Sequence, residues 1–269
     1  MNIMTKDTEI NALTQINDKN IIKIKTKVYV FGDSHADIFL GAESPNFKAD
    51  VAGLDGASIL GLNKKISYLE YGKHVMFLIN RSPKSCHLLL KLGQVDLEFV
   101  MYYKIYVKKE NFLFKEFCEE LIDKYREFIN RILKINTNVI IAAINLPSYD
   151  GDYIKDYIKR TITENVVTDD IVANKVFDMN IKDNMDLSLC FFTLEQLTKN
   201  FQYFNELLHN LANEMNLRFF DTTEVFIDKN TNLLKNEYRC YGHHYKGWSD
   251  EKHSNAKKIT CNYFCSFFN

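Results

Sequence analysis

From Lys27 onward the chain alternates short apolar runs with longer stretches of helical periodicity. The runs with strand character are KVYVF at 27–31, ADVAG at 49–53, CHLLLKL at 86–92, NVIIAAIN at 138–145 and RFFDT at 218–222. Helical patterns fill about 56–71, 110–135, 193–215 and 254–267, and KHVMFLIN at 73–80 is a further apolar run that fits an extra strand. Alternation of this kind predicts parallel strands joined by crossover helices. The expected architecture is therefore an α/β fold: a three-layer α/β/α, doubly wound, mostly parallel five-stranded sheet. Such sheets bind ligands at the carboxyl ends of their strands. Residues 1–25 are polar and read as a tail or a short helix, leaving 26–269 as a single domain. Two long polar stretches, 147–190 and 223–249, interrupt the alternation and read as insertions, either surface excursions or lids over a site.

Composition narrows the function classes. With 269 residues and 46% hydrophobic content, the chain is large enough for one sizeable core. Its 34 basic residues against 35 acidic ones remove any general electrostatic reason to expect a nucleic acid or an anionic membrane as partner. The aromatic, basic-ended segment LEFVMYYKIYVKK at 97–109 accordingly reads as an amphipathic element packed beside the site rather than a nucleic-acid stripe. No apolar run has the length of a secretory leader or a membrane span, so a cytoplasmic protein is expected. The six cysteines contain no CxxC pair, which favours free thiols over a zinc site. No metal ligand set is expected, and GxxxxGK[ST], GxGxxG and HExxH are all absent.

The candidate chemistry starts at the end of the first strand, where KVYVF runs into Gly32-Asp33-Ser34-His35. A serine here sits above the sheet at the start of a helix, where free backbone N–H groups can meet an oxygen gaining negative charge. An N-cap is the plainer reading of the same residues. A serine nucleophile requires a histidine base and a carboxylate to orient it. GWSDEKH near the carboxyl end supplies Asp250 and His253, three apart and just before the last helical pattern.

These two motifs, at opposite ends of one α/β chain, resemble the SGNH or GDSL family of serine esterases and acyltransferases. The resemblance implies a flavodoxin-like sheet, with Ser34 as nucleophile, His253 as general base and acid, Asp250 as its orienting carboxylate, and an acyl-enzyme intermediate. It also implies a glycine after the second strand in the oxyanion hole. DGAS offers Gly56 for that place, with Gly53 as the fallback. The family's Gly-x-Asn-Asp after the third strand reads Gly93-Gln94-Val95-Asp96 here, so the asparagine donor is missing. Gln94 is the nearest amide, and the backbone N–H groups of Ser34 and Gly56 are the remaining oxyanion donors; Asp96 reads as a loop-fixing residue.

His35, His243, His244 and Trp248 are candidates for binding substrate, since aromatic residues beside a loop histidine suit the apolar face of a sugar ring. His243 or His244 stands next in line as base should His253 lie elsewhere. The function implied is O-acyl ester chemistry on a glycan or small molecule: a carbohydrate O-acetyl esterase, needing no cofactor, or an O-acetyltransferase using acetyl-CoA. The alternative is an SGNH-fold module that binds a glycan or a protein with little or no turnover. Oligomeric state is left open.

Overall fold

The computed structural model of the protein describes residues 25–64, 69–106, 108, 110–149, 193–240, 242–246 and 255–268. The core strands β1 (Thr26–Gly32), β2 (Phe47–Gly53), β3 (His87–Lys91), β4 (Val139–Ala142) and β5 (Arg218–Phe220) form one parallel sheet in the order β2-β1-β3-β4-β5. That is the flavodoxin-like order, and it places the crevice where the order reverses, beside the end of β1.

The strands are near-continuous apolar runs because both faces of the sheet are covered. Side chains alternate between two cores. Leu88 and Leu90 of β3 join one with Phe31 and Ile141; Leu89 joins the other with Val28, Val30 and Ile140. Helices α1 (Ile59–Leu62), α2 (Tyr71–Arg81), α3 (Met101–Tyr106), α4 (Phe114–Leu133) and α5 (Leu194–Glu214) all contribute to the first core. The second is closed by α6 (Thr223–Phe226) and α7 (Asn255–Phe267), with Phe39, Phe47, Phe220 and Phe264 packed edge to face. The three-layer α/β/α expectation holds.

Several local expectations change. The run at 73–80 is helix rather than an extra strand: Tyr71, Val75 and Ile79 are buried at helical spacing, while Lys73, His74 and Asn80 face solvent. Of the 56–71 pattern, the described residues are helical at Ile59–Leu62, where Ser58 caps the turn by accepting from Gly61 N, and at Tyr71, which opens α2; 65–68 lie outside the described residues. β4 stops at Ala142, and residues 143–148 continue without helix or strand. The described part of the 97–109 segment is a single π turn (Asp96–Val100) running into α3, with Leu97, Met101 and Tyr102 buried. The second insertion contains a small antiparallel hairpin, β6 (Ile227–Asp228) with β7 (Leu233–Leu234), then a 3-10 turn at Asn236–Tyr238 and a loop through Lys246. Residues 150–190 of the first insertion and 1–24 of the amino-terminal segment lie outside the described residues. Cys86 and Cys118 are buried free thiols, and Cys240, Cys261 and Cys265 are free and half-buried. Among the described residues no helix is long and apolar enough to cross a membrane.

One backbone contact fixes the end of β1. A Cβ on Gly32 would lie 2.3 Å from the Lys91 carbonyl oxygen and 2.9 Å from Ala36 Cβ, so the neighbouring strand and the turn after β1 both press on this position. Gly32→Ala should lower stability by about 1–3 kcal/mol through overpacking, read as a lower urea midpoint with an unchanged slope. A midpoint equal to wild type would show that the turn gives way freely.

Candidate active site

Ser34 opens a 3-10 turn, Ser34–Phe39, immediately past β1. Asp33 is its N-cap, accepting the His35 backbone N–H at 2.9 Å, and the Asp33 carbonyl accepts Ala36 N. The strand end beneath is held by Tyr71, whose hydroxyl accepts Gly32 N at 2.7 Å and donates to Ala52 O at 2.8 Å, tying β1 to β2. The Ser34 hydroxyl is thus carried on a turn fixed from both sides. Its own backbone N–H takes no acceptor among the described residues.

The loop facing it is 242–246. Tyr245 is buried against Phe226 and Tyr238, and its hydroxyl accepts Leu146 N at 3.1 Å. Ser148 Oγ donates to Gly242 O at 2.7 Å, Lys246 N to Tyr238 O at 2.9 Å, and Cys240 Sγ lies 2.9 Å from His244 O. Held in this way, the loop brings His244 Nε2 to 3.1 Å from Ser34 Oγ. The sequence-predicted substrate residues His35, His243 and His244 therefore cluster around the serine, with ring centroids 4.0–5.7 Å apart.

The three rings differ electrostatically. Burial, with the neighbouring His35 and His243, pushes His244 down to about 2, which keeps its imidazole neutral with a lone pair available. His35 is fully buried, which by itself lowers its basicity, but Asp33 beside it and Glu98 more than offset that and raise it above the ordinary value. It does not face solvent. His35 Nδ1 lies 3.0 Å from Asp33 Oδ1, and Nε2 lies 3.1 Å from His243 O and 3.9 Å from Glu98 Oε2.

Under the site lies a further buried polar layer. Gln94 is buried and turned inward: Nε2 donates to Glu98 Oε1 at 2.6 Å and to Asn145 O at 3.4 Å, while Oε1 accepts Asn145 N at 2.8 Å. Both amide hydrogens are engaged, so Gln94 clips the end of β3 to the end of β4. Val95 is half-buried with helical backbone angles. Asp96 accepts Ile59 N at 2.7 Å and Leu60 N at 3.3 Å, and so fastens this loop to the one after β2; burial raises it to about 7. Gly56, in that loop, is exposed with φ +76°, and its N–H takes no acceptor among the described residues. Gly53 packs against the serine turn, where a Cβ would lie 3.2 Å from the Asp33 carbonyl. Lys91 is buried, donates to Ala143 O at 2.7 Å and is lowered to about 8 by burial. Asn145 Nδ2 is buried with no acceptor among the described residues.

Trp248, Asp250 and His253 lie outside the described residues. The residue that sequence reasoning ranked second as base, His244, is the one in contact with Ser34. A DxxH search passes over it because Tyr241 stands three positions before it and Cys240 three before His243. The doublet itself, next to Gly242 and ahead of a buried tyrosine, was the available signal. Lys91, Glu98 and Asn145 carried no motif.

Solved structures share this fold along nearly the whole chain. A protein from Streptococcus pneumonia, provisionally described as a platelet activating factor, has a TM-score of 0.54 at 11% identity, covering 98% of this chain and 100% of its own. A catalytic mutant of an acetylxylan esterase from Geobacillus stearothermophilus has a TM-score of 0.51 at 13% identity, covering 92% and 96%. A Bacteroides fragilis protein, provisionally described as an acylhydrolase, has a TM-score of 0.50 at 12% identity, covering 99% and 98%. The chain shares the three-layer α/β/α fold of these proteins. No protein-family model and no curated protein sequence matches it. Within this fold, Ser34 stands at the carboxyl end of β1, and the loop bearing His244 precedes α7 in the chain.

Glu98 gives a stability test. Burial raises it from 4.5 to about 7, with the His35 charge and the Gln94 bond opposing. A raised carboxylate keeps its proton in the folded state after the unfolded state has lost it, so folded stability declines as pH rises through that interval. Glu98→Gln should flatten the decline in urea midpoint between about pH 4.5 and 7. A slope identical to wild type would remove Glu98 from the buried layer.

Proposed function

We propose that this protein is a serine-dependent enzyme of O-acyl esters working through an acyl-enzyme, with an acetylated carbohydrate as the substrate class. The observation that carries the reading is the 3.1 Å contact between Ser34 Oγ and His244 Nε2 on an SGNH fold. Ser34 attacks the ester carbonyl while His244 Nε2 takes its proton, and the oxyanion forms against the backbone N–H groups of Ser34 and Gly56. His244 then returns the proton to the departing alcohol oxygen, leaving acyl-Ser34. Water, activated by the same imidazole, releases the acid; a sugar hydroxyl in its place would make the protein an acetyltransferase, with acetyl-CoA as the donor in the first step. Burial keeps His244 neutral, the form that can accept the serine proton.

The acetyl-carbohydrate class is supported by the acetylxylan esterase among the structural neighbours. His243 and Trp248 are proposed to contribute to substrate binding, and Asp250 and His253 to complete the site from the carboxyl-terminal side; His35, buried with both ring nitrogens engaged, is not available to a substrate. A second reading, a glycan-binding module with little turnover, is favoured by Val95 together with the inward-turned Gln94, which leave no side-chain amide from this loop for an oxyanion.

Hydrolysis of p-nitrophenyl acetate and of acetylated xylo-oligosaccharides distinguishes these readings. Ser34→Ala should fall to background and His244→Ala should lose about 10²–10⁴-fold in kcat. If His253→Ala causes that loss and His244→Ala does not, the base is His253, as the DxxH spacing predicts. Equal rates in wild type and Ser34→Ala would leave the binding module. Acetyl transfer from acetyl-CoA to a glycan, lost in Ser34→Ala, would identify a transferase.

A further inference from the structure

His35 is held between two groups that only accept hydrogen bonds. Its Nδ1 lies 3.0 Å from Asp33 Oδ1 and its Nε2 lies 3.1 Å from the His243 carbonyl. A neutral imidazole carries one N–H and serves one of these partners; an imidazolium serves both. The proton between Asp33 and His35 belongs on the ring, since an imidazole is ordinarily the stronger base by more than two pH units, and Asp33 Oδ1 already accepts the His35 backbone N–H.

We infer that His35 is a buried imidazolium that fixes the His243–His244 loop to the serine turn, and so positions the base of the reaction. This deepens the acyl-transfer reading above and rests on it for its catalytic consequence. The carbonyl held by His35 belongs to the residue before His244, so the bond acts on the backbone that sets where His244 Nε2 lies relative to Ser34. The charge has its surroundings. Asp33 lies on the same turn, Glu98 comes from the π turn after β3, and Lys91 opposes from the end of β3. From the facing loop come the His243 and His244 rings. The same positive charge helps keep His244 unprotonated, the form a base needs.

Asp33 and His35 are thus positioning residues, and their loss acts through His244. When His35 loses its proton, one of its two bonds goes and the loop is released. Activity should therefore fall on the alkaline side as His35 titrates, above the ordinary 6.5. Asp33→Asn keeps an N-capping side chain but removes the counter-charge.

The test has two arms. In ¹⁵N-histidine-labelled wild-type protein, NMR should find protons on both ring nitrogens of His35 at pH 6.5, assigned by comparison with His35→Gln. In pH–rate profiles with p-nitrophenyl acetate, the alkaline limb in Asp33→Asn should move down by about 1–3 pH units, with KM little changed. A singly protonated His35 at pH 6.5, or an alkaline limb that stays where it was in wild type, would overturn the inference. The NMR arm is independent of turnover, so an inactive wild type would remove the esterase reading while leaving the state of His35 decided. A variant that only loosened the fold would lower the rate at every pH without moving the limb.

Discussion

Ser34 and His244 are separated by 210 positions in the chain, and the candidate chemistry depends on the single hydrogen bond that joins them. Neither residue is placed by its own preferences. Ser34 is carried by the tight junction of β1 with its turn, where only glycine at 32 lets the Lys91 carbonyl and Ala36 approach. His244 is carried by a loop whose backbone is held by Ser148, Tyr238, Cys240 and His35 and whose Tyr245 is sunk in the second core. These holds are part-buried polar contacts, and each is costly to leave unmade where water is partly excluded. Together they turn the carboxyl end of an interior strand into a site with a defined distance of 3.1 Å.

Around that bond lies an unusual amount of buried charge: Asp33, His35, Lys91, Asp96 and Glu98 are nearly or fully buried. Buried charges persist when each has partners, and here each carboxylate accepts hydrogen bonds from the chain. Asp96 accepts two backbone N–H groups of the turn after β2, and Glu98 accepts the Gln94 amide. The consequence is a base kept neutral next to a neighbour kept charged, two histidines in ring contact with opposite tendencies. Divergence of this kind between adjacent titratable groups is a common mark of functional sites.

The sheet was legible in the sequence because parallel strands buried on both faces are written as unbroken apolar runs, and all five predicted strands are present, with β3, β4 and β5 shorter than their apolar runs. The run at 73–80 misled because a short apolar stretch fits helix and strand alike, and only the burial of Tyr71, Val75 and Ile79 decides between them. Ser34 was legible from Gly-Asp-Ser at a strand end. His244 was legible only as one of two adjacent loop histidines, since its approach to the serine comes from tertiary packing of Tyr245 and Ser148, which no local pattern records. Gln94 looked like a spare amide donor, yet it is taken up by Glu98 on the π turn after β3 and by the Asn145 backbone just past β4, and the second of these, 51 positions away, could not be read from neighbouring positions.

Reaction of the protein with a fluorophosphonate, followed by peptide mass spectrometry, tests the central claim most directly, because it reads the activated serine without requiring the true substrate. The account predicts a single phosphonyl adduct on Ser34, formed much more slowly in His244→Ala. An adduct elsewhere, no adduct on Ser34, or labelling at an unchanged rate in His244→Ala would contradict it.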